Sequence, residues 1–162
     1  MDQVDAILVQ WRQERPDLET APMGTIGRIK RLSQHLAREM ETTFAAHGLN
    51  AASFDVMATL RRSGSPYALS PGDLMTSTMV TSGTMTNRID QLEKAGLVER
   101  VRNPQDGRGF LISLSPKGHE IIEKAVTAHV ETQAKLVASL TEDQRVQLDD
   151  LLRCFLAGFE PT

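Results

Sequence analysis

The period of the apolar residues changes at Gly96, and that change limits the folds open to this chain more than any other feature. Before it, in STMVTSGTMTNRIDQLEKAGL (Ser77 to Leu97), Met85, Ile89 and Leu92 recur at spacings of four and three, the one-sided pattern of an α-helix. After it, Leu97-Val98-Glu99-Arg100-Val101-Arg102 and Phe110-Leu111-Ile112-Ser113-Leu114 read as a strand and its return partner around a polar, turn-rich Asn103 to Gly109. Gly96 stops the helix because glycine accepts the left-handed conformation that side chains disfavour. Upstream, Ser70-Pro71 offers an N-cap with proline at the first helical position, which predicts a short helix to about Thr76, with Thr78-Met79-Val80 as the turn. Two short helices joined by a tight turn form a helix-turn-helix, and the following hairpin makes it winged.

The outer face of the second helix is unusual. It carries Ser82, Thr84, Thr86 and Asn87, preceded by Thr81, where a solvated helix would show Glu and Lys. In a helix-turn-helix the first turns of the second helix meet base edges and phosphates, and short Ser, Thr and Asn side chains suit both. These five residues, with Arg102 on the hairpin, are the candidate DNA contacts; a Ser/Thr-rich amphipathic helix on an ordinary surface is the alternative. Net charge favours neither reading. It is −3 over 162 residues, and DNA binding requires basic residues clustered in space rather than in excess.

The flanks are helical. Asp2 is placed to cap a short helix with Val4, Ile7, Leu8 and Trp11 on one stripe, ended by Arg15-Pro16-Asp17. A longer helix follows from about Pro22 to His47, with Ile26, Ile29, Leu32, Leu36, Met40 and Phe44 as its expected buried edge and Gly48 as its stop. Asn50 caps the next, which carries Phe54, Asp55, Met57 and Leu60. Ser115-Pro116 opens a further long helix, and Thr141 with Gln144 forms a capping box for the last, rich in Leu151, Leu152, Phe155 and Phe159. The expected fold is mainly α with a small β-hairpin wing, a winged helix-turn-helix flanked by long dimerisation helices. Its divisions are 1–48, an extra N-terminal helix and the first dimerisation helix; 49–114, the DNA-binding domain; and 115–162, the C-terminal dimerisation helices. The terminal helices carry more apolar surface than one small domain covers, which points to a two-fold homodimer. Such a dimer sets two reading helices about 34 Å apart on one DNA face, matching a palindromic operator.

At this point the chain resembles the MarR family of bacterial transcription regulators over essentially its whole length. The resemblance rests on SGTMTNRIDQLEKAGLVER, on the wing NPQDGRGFLISLSPKG and on the flanking long helices. It implies that Arg108 is the wing arginine reaching a minor groove and that Asp106 braces the wing. Many relatives have a second basic residue where this chain has Gly107, which implies a weaker wing contact. Trp11, Asp55, Arg88 and Arg100 further look like the four residues that mark a urate-responsive, HucR/PecS-like branch. That likeness implies a purine such as urate contacting Trp11 and Arg100 and displacing Asp55, which otherwise pairs with Arg88. The chemistry is apt, since an indole gives a stacking face to a flat heterocycle and a guanidinium gives paired donors to its oxygen-rich edge. Reversing a 1:99 population takes about 5.5 kcal/mol of differential affinity. Other readings stay open: an aromatic acid, phenol or thioester as ligand, Trp11 simply docking the first helix, or Asp55 and Arg88 as a permanent salt bridge.

The sequence offers little to other chemistries. His35, His47, His119 and His129 are scattered without metal-ligand spacing, and no phosphate loop, nucleophile elbow or Ser/His/Asp ordering is present. Neither an enzyme nor a cofactor is expected. The single cysteine, Cys154, lies among Leu151, Leu152 and Phe155 and is expected to be a buried, inert thiol in a reducing compartment. With no membrane span or leader expected, the protein is placed in the bacterial cytoplasm, on the nucleoid when bound. The partners implied are double-stranded operator DNA, a small-molecule effector and a second copy. The competing class is a helical protein-interaction dimer without DNA binding.

Overall fold

The computed structural model describes residues 1–78, 82–104 and 109–160. Met79, Val80, Thr81, Asp106, Gly107 and Arg108 therefore lie outside the described residues, as does the side chain of Ser82. The chain divides into two compact units, Met1–Thr42 and Thr43–Thr162.

In the first unit, helix α1 (Gln3–Glu14) begins at the expected cap. The Asp2 carboxylate accepts from the Val4 and Asp5 amides, and the Asp5 carboxylate accepts in return from the Asp2 amide. Arg28, on helix α2 (Ala21–Ala45), clamps this cap by donating to Asp2 at 2.8 Å and to Asp5 at 2.6 Å. Val4 and Leu8 are buried on α2, where glycines allow the close approach: a Cβ on Gly24 would stand 3.0 Å from Leu8 Cδ1. The expected buried edge of α2 is not covered in this unit. Ile26 and Leu32 are 53% and 55% exposed.

The second unit is built around helix α3 (Ala51–Arg62), capped by Asn50. Its Val56, Met57 and Leu60 are completely buried. Around it lie α4 (Pro71–Thr78), through Leu74; α5 (Ser82–Lys94), through Met85, Ile89 and Leu92; and α6 (Pro116–Leu136), through Ile122 and Ala125. Ser70 Oγ accepts from the Asp73 amide at the head of α4, as its N-cap position predicts.

Strands β2 (Val98–Arg102) and β3 (Phe110–Leu114) form the expected hairpin, in register from Val98 opposite Leu114 to Arg102 opposite Phe110. The Asn103 amide donating to the Gly109 carbonyl closes its base at 3.0 Å. A third strand, β1 (Ala68–Leu69), pairs antiparallel with the other edge of β3, so the sheet order is β1-β3-β2. Two residues are too few to display a period of two, and their pairing is set by β3 rather than by their own pattern.

The junction after α5 is tightly made. Ser115 Oγ donates to the Gly96 carbonyl at 2.7 Å and accepts from the Gly118 amide, so one buried hydroxyl finishes α5 and starts α6. Lys117 Nζ donates to the Ala95 carbonyl. Gly118 is required here because a Cβ would run into the Leu97 carbonyl.

The last helix, α7 (Glu142–Leu156), starts at the expected Thr141 and Gln144 capping box, but none of its residues is buried. Leu151, Leu152 and Phe155 are 70%, 46% and 43% exposed. The expectation for Cys154 is corrected accordingly: its thiol is exposed, because the apolar residues beside it are turned outward rather than packed in their own chain.

Candidate nucleic-acid interface and effector site

Helix α5 presents three distinct sides. Met85, Ile89 and Leu92 face the core at 2% exposure or less, fixing the helix orientation. Thr84, Thr86 and Asn87 are exposed on the opposite side, and Arg102 is exposed on β2. Asp90 and Glu93 follow Thr86 at i+4 and i+7, continuing one flank of that face toward the C-terminus.

Of the four residues singled out for the effector, the structure brings two together. Asp55 on α3 and Arg88 on α5 stand at 4.0 Å, with side chains 44% and 24% exposed. The contact is loose. Burial pushes the Asp55 carboxyl up from its ordinary range, and the nearby positive charges of Arg88 and Arg62 only partly oppose that. Arg62, one helical repeat beyond Asp55, also donates to the Ser77 carbonyl at the end of α4. Helix α3 thus touches both helices of the helix-turn-helix through polar groups.

Arg100 is differently engaged. From β2 it donates to Asp90 at 2.6 Å and to Glu93, both on α5, while its guanidinium lies over the Phe110 ring. The residue types were visible in the sequence, but not their meeting, which depends on the strand folding back along the helix. Trp11 belongs to the first unit and is 40% exposed.

A second polar and aromatic cluster lies between α3 and α6. Phe44 stacks on Phe54 at 4.3 Å, and His129 packs against both rings. Burial lowers the His129 pKa, and its Nδ1 has no hydrogen-bond partner among the described residues. The cluster borders a cleft of about 450 Å³ lined by Phe54, Ala58, Arg61, Arg62, Glu123 and His129 among others. None of the four effector candidates is among its described lining. Among the described residues no group of His, Cys, Asp and Glu could hold a metal ion, and no helix is long and apolar enough to cross a membrane.

A helix-turn-helix with a polar reading face, backed by a three-stranded wing and flanked by long helices, defines a DNA-binding transcription regulator of the winged-helix class. Residues 47–109 match the MarR family. The chain is 38% identical over 150 residues to the HTH-type transcriptional regulator PecS of Dickeya dadantii, spanning 93% of this chain and 90% of PecS. It also superposes on the structure of a mutant E. coli MarR complexed with operator DNA, with TM-score 0.71 and 27% identity over 90% of this chain and 97% of that one. A third likeness is to Bordetella bronchiseptica BpsR, whose structure concerns regulation of its DNA binding by 6-hydroxynicotinic acid. Its TM-score is 0.70 at 25% identity, over 85% of this chain and 95% of that one. The chain belongs to the MarR family of transcriptional regulators.

Proposed function

We propose that this regulator is a homodimeric repressor that binds a palindromic operator and is released by a flat, anionic heterocycle, urate or a related purine. The DNA contacts assigned are Thr81, Ser82, Thr84, Thr86 and Asn87 of the reading helix with Arg102 and Arg108 of the wing, and Asp106 braces the wing. The observation that carries the DNA reading is the exposure of Thr84, Thr86 and Asn87 opposite a fully buried apolar face of α5. Homodimerisation accounts for the uncovered apolar side chains of α7, since contiguous exposed apolar surface of this kind marks an interaction face.

For the effector, the assigned residues are Trp11, Asp55, Arg88 and Arg100. The resemblance to the urate-responsive branch carries Trp11 and Arg100. The loose Asp55 and Arg88 pair adds a physical reason, because a partly buried carboxylate whose desolvation outweighs its ion pair is easily displaced by an arriving anion. The likeness to BpsR favours a second ligand, 6-hydroxynicotinic acid, which shares the flat, oxygen-bearing, anionic ring.

The test is binding to a palindromic duplex as salt is varied. A linear fall in log affinity with log salt is expected, and Arg108→Ala should lower the slope by about 0.9, one phosphate contact. Indifference to both would favour a protein-interaction dimer. Trp11 is the only tryptophan, so urate should quench its fluorescence saturably over the range that releases DNA. Quenching left unchanged by Arg100→Ala would sink the purine reading, and tighter action by 6-hydroxynicotinic acid would replace it with the second.

A further inference from the structure

We propose that Arg100 is a positioning residue for DNA binding: from β2 it pairs with Asp90 and Glu93 on the flank of the reading helix, offsetting half of their negative charge, and ties that helix to the wing. This rests on the reading that α5 enters DNA.

The argument begins with charge. Asp90 and Glu93 continue the flank that Thr86 begins, on a helix whose neighbouring face is assigned to a polyanion. Their side chains are 45% and 38% exposed. Two uncompensated carboxylates there would repel phosphates, and exposed charges within about 10 Å of the duplex are not screened away at ordinary salt. Arg100 offsets half of that charge with one side chain. Its planar fork bonds both carboxylates, and a guanidinium holds two such partners in fixed directions where an ammonium acts as a point charge. The Phe110 ring, 5.6 Å away on the paired strand, supports the guanidinium from the wing. Because Arg100 sits on β2 and its partners on α5, the same bonds fix the angle between reading helix and wing.

The arrangement adds a second route for the effector. An anion that captures Arg100 uncovers Asp90 and Glu93, so release of DNA would be driven by negative charge appearing on the reading helix itself. That consequence depends on Arg100 meeting the ligand. The partial charge compensation of the flank does not.

The experiment is a cycle of four proteins in duplex binding without effector: the unaltered chain, Arg100→Ala, Asp90→Asn with Glu93→Gln, and all three changes together. Arg100→Ala should weaken binding about tenfold or more, the paired neutralisation alone should change it less than about threefold, and the triple variant should return to within about threefold of the unaltered chain. Arg100→Lys should fall between the unaltered chain and Arg100→Ala. If the paired neutralisation changes affinity by the same factor with and without Arg100, the proposal is overturned. It is equally overturned if Arg100→Ala loses about 0.9 of salt slope that the triple variant does not regain, since Arg100 would then be a phosphate contact. Asn87→Ala separates this failure from failure of the underlying reading: unchanged affinity in that variant and in Arg100→Ala would remove α5 from the DNA. Should Arg100→Ala not fold, Arg100→Gln takes its place in the cycle.

Discussion

The two flanks of α5 are gripped in opposite ways. Toward α3, the helix contributes the cation, Arg88, to a carboxylate 4.0 Å away whose burial is poorly compensated. Toward the sheet, it contributes two carboxylates to a single guanidinium, one at 2.6 Å. The first grip is a marginal balance between desolvation and attraction; the second gives both carboxylates a hydrogen-bonded partner and leaves one negative charge over. A helix held this way can be released on one side while the other keeps its register. Ion pairs of similar appearance in a sequence thus differ in what they do, and the difference lies in burial and distance.

The largest perturbation removes what both grips rest on. Ile89→Ala, at 2% exposure in the unaltered chain, should cost about 2–4 kcal/mol in denaturant unfolding by losing buried methyl groups and leaving a cavity. DNA affinity should fall without change in which ion pair matters. Next is Gly118→Ala, which forces the Leu97 carbonyl aside at the entry to β2. An expected loss of about 1–3 kcal/mol should come with weaker DNA binding, because the sheet-side grip loses its platform while Arg100, Asp90 and Glu93 remain. Gly118→Ala melting like the unaltered chain would show that the junction relaxes freely.

Asp55→Asn tests the other flank and should barely disturb global stability. DNA binding without effector should weaken if the pair holds the helix; unchanged affinity would mark the pair as incidental. The pH dependence carries a sign. The folded-state pKa of Asp55 is raised above its ordinary value of 3.8, so its contribution to stability is fully present below that value and is lost as pH rises through the raised value. Relative to Asp55→Asn, the unaltered chain should therefore lose thermal stability as pH climbs out of the acid range, and a difference independent of pH would contradict burial as the dominant cause. The smallest effect belongs to an exposed pair away from α5. Lys124→Ala, which breaks the i, i+4 bond to Glu120, should shift stability by no more than about 0.5 kcal/mol and leave DNA binding intact.

Much of the frame was legible from local signals. Asp2, Asn50, Ser115 and Thr141 all cap the helices they were expected to cap, because a capping side chain acts within three residues of itself. The apolar stripe of α5 is buried as its spacing implied. What escaped depends on distance in the chain. Strand β1 takes its conformation from β3, and Arg100 finds its partners only after the chain turns at Gly96. For the long helices, periodicity identifies an apolar edge but not what covers it; Ile26, Leu32 and the apolar residues of α7 are outward, in keeping with the expectation that the terminal helices carry more apolar surface than one small domain covers. Asp55 with Arg88 was suggested by resemblance, and the imbalance in that pair follows from burial, which no spacing encodes.

The shared hydroxyl of Ser115 turns the end of α5 and the start of α6 into one joint. Helix α6 has 21 residues, a rod of about 31 Å. A tilt of about 5° in such a rod moves its far end about 3 Å. Leverage therefore runs both ways in the geometry: a shift at the distant end of α6 is carried to the end of α5 without contact there, and a shift of α5 is carried to the far end of the rod.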